Sequence, residues 1–371
     1  MRPWSLSHVS RALRKCGASN WPWPWLSTPS RHREVGYRQI RRLGAGYFGE
    51  VWLEEDEALG RMCAAKYLDP SRLTPGSFAY AEAQAMMVAR HENVVQIFSA
   101  DAEDGIPVIR MEYLEAGSVE DRYGGRPVAV GDAVRYMEEA CWGVEHLHAR
   151  GLLHRDIKPG NLLLHGDGRV KISDFGLSCF TNSSAVIPPW SYTAHLPPEA
   201  LKTGLGIESA VGDVYALGIT TYRLLNGDRD FESIRELASL KTAAVLSNWL
   251  PHVHPKLRRV IRKATHSQPG SRYQSAWDFR HGLEAARPVV SWFPSTSDVG
   301  KSWSGWDGRR QAAWRAYLEP ASRDRWAFRI ERDLNGKGWR KIGADCLLFP
   351  EYKDAMRHSA LILGRVAETG R

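Results

Sequence analysis

The chain has 371 residues, longer than one average domain, and its 43% hydrophobic content is enough for a large buried core. Its net charge of +8 sits at the two ends: residues 1–33 carry six Lys/Arg and no acid, residues 288–371 carry fifteen against ten acids, and the body between is slightly acidic. Nucleic acid is therefore not expected as a partner, and without any run of 18 apolar residues no transmembrane segment is expected either.

The five cysteines (Cys16, Cys63, Cys141, Cys179, Cys346) are scattered and form no CxxC pair. That argues against a disulfide frame or zinc site and for a reducing, cytoplasmic setting. Residues 1–33 read as a disordered basic tail, because Trp21-Pro22-Trp23-Pro24-Trp25 can continue neither a helix nor a central strand. The tail lacks the apolar core of a secretory signal, and its Arg/Ser-containing, acid-free start shares features with an organellar transit peptide.

Regular structure is expected from about Tyr37. Gly44-Ala45-Gly46-Tyr47-Phe48-Gly49-Glu50-Val51 is a GxGxxGxV loop between strand-like Tyr37–Leu43 and Val51–Leu53. Glycines let a backbone pass close over phosphates and aim its amides at them. A Rossmann motif would open a helix after this loop, whereas here a second strand follows. Strand Arg61–Tyr67, helix Phe78–Arg90 and strands Val94–Ala100 and Pro107–Met111 come next. From Val130 to Ala149 apolar residues recur at helical spacing (Val134, Met137, Ala140, Cys141, Val144, Leu147), the pattern of a buried helix.

The most informative stretch is His154-Arg155-Asp156-Ile157-Lys158-Pro159-Gly160-Asn161, with Asp174-Phe175-Gly176 thirteen residues on. Asp156 can accept the proton of an attacking hydroxyl, and Lys158 can offset charge on a travelling phosphate. Asn161 and Asp174 offer the hard oxygen ligands that Mg²⁺ prefers. A short hairpin, Leu162–Leu164 with Val170–Ser173, would deliver Asp174.

In this order the motifs resemble those of the eukaryotic-like, bacterial-type Ser/Thr protein kinases over about residues 34–287. The resemblance implies an α+β bilobal fold: small lobe 34–110, hinge 111–116, large lobe 117–287. It implies ATP and Mg²⁺ as cofactors and a protein substrate phosphorylated on Ser or Thr. Asp156, Lys158, Lys66 and Glu82 then form the catalytic set, Lys66 (in Cys63-Ala64-Ala65-Lys66) holding the α/β-phosphates with Glu82 as its partner. Gly44, Gly46 and Gly49 would cover the phosphates, and Leu43, Val51, Ala64 and Leu163 would sandwich the base. Glu112 and Leu114 would pair with adenine through the hinge backbone, behind Met111 as gatekeeper. Asn161 and Asp174 would hold the metal.

The same resemblance predicts that Glu199, in Pro197-Pro198-Glu199, pairs with Arg272 and that Asp213 braces the catalytic loop. Two departures stand out. The position of the threonine that touches the catalytic Asp in Ser/Thr kinases is Tyr192, with Thr193 beside it. The usual loop phosphorylation site falls on Pro188, the nearest hydroxyls being Thr181, Ser183, Ser184 and Ser191. Two rival readings use the same architecture. A nucleotide-binding scaffold usually lacks the Lys, the catalytic Asp or the metal Asp, and all three are present here. A small-molecule kinase generally lacks a Gly-rich loop combined with a Pro-Pro-Glu-like anchor. Lys158 in turn argues against Tyr specificity.

After Pro288 the composition changes, and six of the fifteen tryptophans lie beyond it. Residues 288–302 read as a Pro/Ser/Gly linker crossed by few contacts, and 303–371 as a small ββα-type accessory unit. Its parts are strand Trp326–Ile330, the turn Asn335-Gly336-Lys337-Gly338, return strand Trp339–Cys346, helix Glu351–Val366 after Pro350, and a further strand near Ala313–Leu318. The aromatics read as this unit's core, and its basic excess as a means of docking a partner.

Overall fold

A computed structural model of the chain describes residues 36–46, 49–72, 90–174, 193–204, 207–228, 231, 246, 248–296, 300–322 and 324–371. The small lobe is a five-stranded antiparallel sheet of order β1-β2-β3-β5-β4, built from β1 (Tyr37–Gly46), β2 (Gly49–Asp56), β3 (Arg61–Leu68), β4 (Ile97–Glu103) and β5 (Ile106–Glu112). The first two strands run further into the glycine loop than the sequence predicts, pairing up to Gly46↔Gly49. Directly opposed residues share a face of a sheet. Val51, Lys66 and Ile109 therefore line one face in register, with Leu53, Ala64 and Met111 in the adjacent row.

The large lobe is helical. Helix α1 (Val119–Tyr123) opens with a capping box from Ser118 and Asp121. In α2 (Val130–His148) the apolar positions at helical spacing are all buried, as their pattern predicts. The hairpin β6 (Leu162–Leu164) and β7 (Val170–Ile172) follows, then α3 (Pro198–Thr203) and α4 (Ala210–Asn226). Every residue of α4 from Gly212 to Asn226 is buried, the signature of a central core helix. Helices α5 (Pro255–Ala264) and α6 (Ala276–Ala285) complete the lobe, with α6 packed along α2.

The C-terminal residues differ from the expected linker and ββα unit. Ser291–Thr296 is a strand, β8, and it opens an antiparallel meander with β9 (Lys301–Asp307), β10 (Ala312–Ala321), β11 (Arg325–Leu334) and β12 (Trp339–Lys341). The single return strand expected over 339–346 is split, because β13 (Leu347–Phe349) joins the other half of β11. Helix α7 (Tyr352–Thr369) covers one face, where Trp303, Trp314, Ala316, Leu318, Phe328 and Ile330 are buried.

The contacts expected to be few across residues 288–302 are extensive. One continuous core runs from Leu68 through α2 and α4 to Trp292, Trp314, Phe328 and Leu363. Trp292 is fully buried, donates from Nε1 to the Leu363 carbonyl at 3.1 Å, and lies so close over Gly305 that a Cβ there would stand 2.6 Å from the ring. Ser291 Oγ accepts the Gly131 N–H at 2.8 Å. That bond caps α2, whose own N-cap residue, Ala129, supplies no side-chain bond. The Ser, Thr and Pro between 294 and 304 hide a strand from pattern reading. Burial of Trp292 and pairing with β9 decide its conformation.

Candidate active site

The site begins with a backbone constraint. Asp213, fully buried on α4, accepts from the His154 N–H at 2.9 Å and the Arg155 N–H at 2.8 Å, and is held by His148 Nε2 at 2.8 Å. These bonds lock the catalytic loop while Arg155 sits at φ 68, a left-handed conformation costing about 1–2 kcal/mol for a non-glycine residue. The brace expected at Asp213 is thus in place, and His148, at the end of α2, is a participant that local sequence did not flag. Its partner lies 65 residues away. Burial, opposed by Asp213 and Asp156, pushes the His154 imidazole below its ordinary value and keeps it neutral near pH 7.

Within the loop the expected residues converge. Asp156 Oδ2 accepts from Lys158 Nζ at 2.7 Å and from Asn161 Nδ2 at 2.9 Å, and Asn161 Nδ2 also reaches the Asp156 carbonyl at 2.7 Å. With its amide nitrogen committed to Asp156, the carbonyl oxygen of Asn161 remains as a hard ligand. Asp174, at φ 57, stands at the end of β7, where Lys66 Nζ donates to its Oδ1 at 2.7 Å. Burial would raise this carboxyl, but Lys66, then Lys158 and His154, outweigh it and hold Asp174 below the ordinary carboxylate range. Lys66 therefore links the small lobe to the metal-ligand candidate.

Strand pairing sets the places of Gly49 and of the side chains expected to flank a base. At Gly49, φ 141, a Cβ would stand 1.8 Å from the Tyr67 carbonyl oxygen, so no other residue fits that turn. Gly44 and Gly46 have open space where a Cβ would project. Leu43 occupies the bulge between the Arg42↔Trp52 and Gly44↔Val51 pairs. Leu163, on β6, makes an isolated bridge with Ser118 just after the hinge. In the hinge, Glu112 gives its N–H to the Gln96 carbonyl, and the Leu114 carbonyl receives the Gly117 N–H. Glu112 carries a further partner that the sequence did not reveal: Lys171 Nζ bonds both its carboxylate oxygens, at 2.9 and 2.7 Å.

Arg272 and Glu199 form the anticipated ion pair, and it is bidentate, 2.7 Å on each arm, with the arginine side chain fully buried. Glu82, Phe175, Gly176, Thr181, Ser183, Ser184, Pro188, Ser191 and Tyr192 lie outside the described residues, as does the side chain of Thr193. Among the described residues no helix is long and apolar enough to cross a membrane.

Comparison with known proteins agrees with this geometry. Residues 37–281 match the protein kinase domain family. The chain is 33% identical over 270 residues to the serine/threonine-protein kinase Pkn1 of Myxococcus xanthus, an alignment covering 67% of this chain and 38% of that protein. It is 30% identical over 264 residues to PrkC of Bacillus subtilis, covering 67% and 40% respectively. With PknB of Mycolicibacterium smegmatis the identity is 30% over 280 residues, covering 70% and 44%. The chain thus spans less than half the length of these curated relatives. The paired glycines Gly46 and Gly49 at the junction of β1 and β2, a lysine reaching the aspartate after β7 and an aspartate-lysine-asparagine loop braced from α4 coincide with that match, and the chain belongs to the protein kinase family.

Proposed function

We propose that the protein transfers the γ-phosphoryl group of ATP to serine or threonine hydroxyls of a protein substrate. The observation that carries this reading is the convergence of Lys158 Nζ and Asn161 Nδ2 on one oxygen of Asp156. Such a carboxylate is aimed by two donors at the place where an incoming hydroxyl would give up its proton. Lys158, beside it, offsets charge on the transferred group, and Lys66 with the Gly44–Gly49 loop holds the remaining phosphates. Hard oxygens at Asn161 and Asp174 fit Mg²⁺, which when bound neutralises phosphate charge, and Asp174 is held ionised as a ligand must be.

The resemblance to named serine/threonine kinases and the presence of Lys158 support hydroxyl rather than phenol acceptors. Incubating the protein with labelled ATP-Mg and a generic basic protein, then identifying the labelled residue type, tests this. Label on tyrosine, or no transfer at all, refutes it. Buried Cys63 and Cys141 thiols accord with the reducing, cytoplasmic setting read from the cysteines. Partner docking through the C-terminal sheet also belongs to this proposal, with Trp306 and Trp339 exposed in one cross-strand row on the face away from α7. A Trp306→Ser/Trp339→Ser variant that phosphorylates its natural target at the wild-type rate would remove that part.

A further inference from the structure

We propose that Lys171 is a positioning residue for the adenine end of the nucleotide site, acting through Glu112. The inference rests on the nucleotide-binding reading above. Lys171 lies on β7, three residues before Asp174, and its ammonium bonds both oxygens of Glu112, in the hinge, at 2.9 and 2.7 Å. The side chains are only 13% and 21% exposed, unlike a solvated surface pair of little energetic consequence.

The Glu112 carboxylate also accepts the Gln96 N–H at 3.3 Å while the Glu112 N–H goes to the Gln96 carbonyl at 2.8 Å. Glu112 is therefore held on its backbone by β4's approach and on its side chain by β7. The same strand is tied to that approach elsewhere. The Val95 N–H donates to the Ile172 carbonyl, the Ile172 N–H to the Asn93 carbonyl, and Asn93 Nδ2 to the Val170 carbonyl. From the other side α2 holds the hairpin, with Glu139 accepting the Val170 N–H and Arg135 donating to the Gly168 carbonyl. A hairpin fixed on both sides is a rigid anchor, and Lys171 is the one side chain through which β7 grips the hinge carboxylate. Its reach sets where the Glu112 carbonyl and Leu114 present themselves to a base. The phosphate end is held by other side chains, Lys66 bonding Asp174 at 2.7 Å.

Lys171→Met should therefore weaken adenine placement and spare phosphoryl transfer. The Michaelis constant for ATP should rise about tenfold, the scale of one lost charge-assisted pair, with turnover within about twofold of wild type. Calorimetric titration with adenosine, which has no phosphates, should show the same fold loss as titration with ATP-Mg. Lys171→Arg should restore most of the affinity, because a guanidinium also grips a carboxylate on two arms. Glu112→Gln should weaken adenosine binding similarly, and combining it with Lys171→Met should add little.

Unchanged adenosine affinity in Lys171→Met, with a raised Mg²⁺ requirement, would overturn the proposal by showing that the residue acts through Asp174. Fully additive losses in the double variant would overturn it as well. Should Lys171→Met fail to fold, Glu112→Gln and Lys171→Arg still decide, since wild-type adenosine binding in Glu112→Gln refutes the mechanism. A wild-type protein that binds neither ATP nor adenosine would instead defeat the nucleotide-binding reading itself.

Discussion

Replacing Trp292 by alanine should destabilise the whole catalytic unit and not merely its C-terminal residues. The indole is fully buried where β8 meets α7, packs edge-on against Trp314 at 6.5 Å between ring centres, rests on Gly305 and donates to the Leu363 carbonyl. Truncating a buried tryptophan typically costs about 3–5 kcal/mol through lost transfer free energy and an unfilled cavity. Against a typical total stability of about 5–15 kcal/mol that is a large fraction. A drop of about 6–20 °C in melting temperature follows at roughly 2–4 °C per kcal/mol. The same core continues through Val290 into α2 and α4, so the loss should reach the helices that brace the catalytic loop. Calorimetry, with hydrogen exchange on α2 read in parallel, makes the measurement. A single transition displaced downward, with faster exchange in α2, is expected. Two transitions, of which only the smaller moves while α2 exchange stays unchanged, would refute the reasoning and show that residues 291–371 form a separable unit.

Asp156→Asn should lower turnover by at least ~10²-fold with ATP affinity little changed, as measured by steady-state kinetics beside nucleotide titration. Glu199→Ala strands the fully buried Arg272 guanidinium and should cost about 3–5 kcal/mol in urea unfolding. A cost below 1 kcal/mol would show that the His266 carbonyl, 2.7 Å from Arg272 Nε, is partner enough. Stability should also fall with acid. Burial, then Arg258 and Lys301, lower the imidazole of His252 to about 3, so the unfolded chain binds a proton there that the folded protein refuses. This contribution is fully present above about pH 6.5 and is lost towards pH 3, at up to about 1.4 kcal/mol per pH unit. His252→Leu should flatten the slope of stability against pH in that window by one proton, and an unchanged slope would count against the assignment.

The chemistry of the loop was legible in the sequence because it is local. Asp156, Lys158 and Asn161 lie within six residues of chain, and their spacing alone lets one amide and one ammonium reach the same carboxylate oxygen. Burial along α2 was equally legible, since a 3.6-residue period assigns its faces without knowledge of the neighbour. Glycine at 49 belongs with these, although only the fold shows why: the Tyr67 carbonyl fills the place of a side chain.

What tertiary structure decided are the contacts between distant segments, where no local pattern is required of either partner. Ser291 caps α2 from 160 residues away, Lys171 holds Glu112 from 59, and His148 meets Asp213 across 65. The C-terminal residues show the same limit most fully. Ser, Thr and Pro around Trp292 carry the composition of a linker, and composition is a sound guide only where nothing else competes for the segment. Here the edge of β9 satisfies backbone hydrogen bonds, and the space between α7 and α2 accepts a whole indole. Burial of that large apolar side chain together with the ladder hydrogen bonds offsets the ordering of the backbone, and the segment becomes strand.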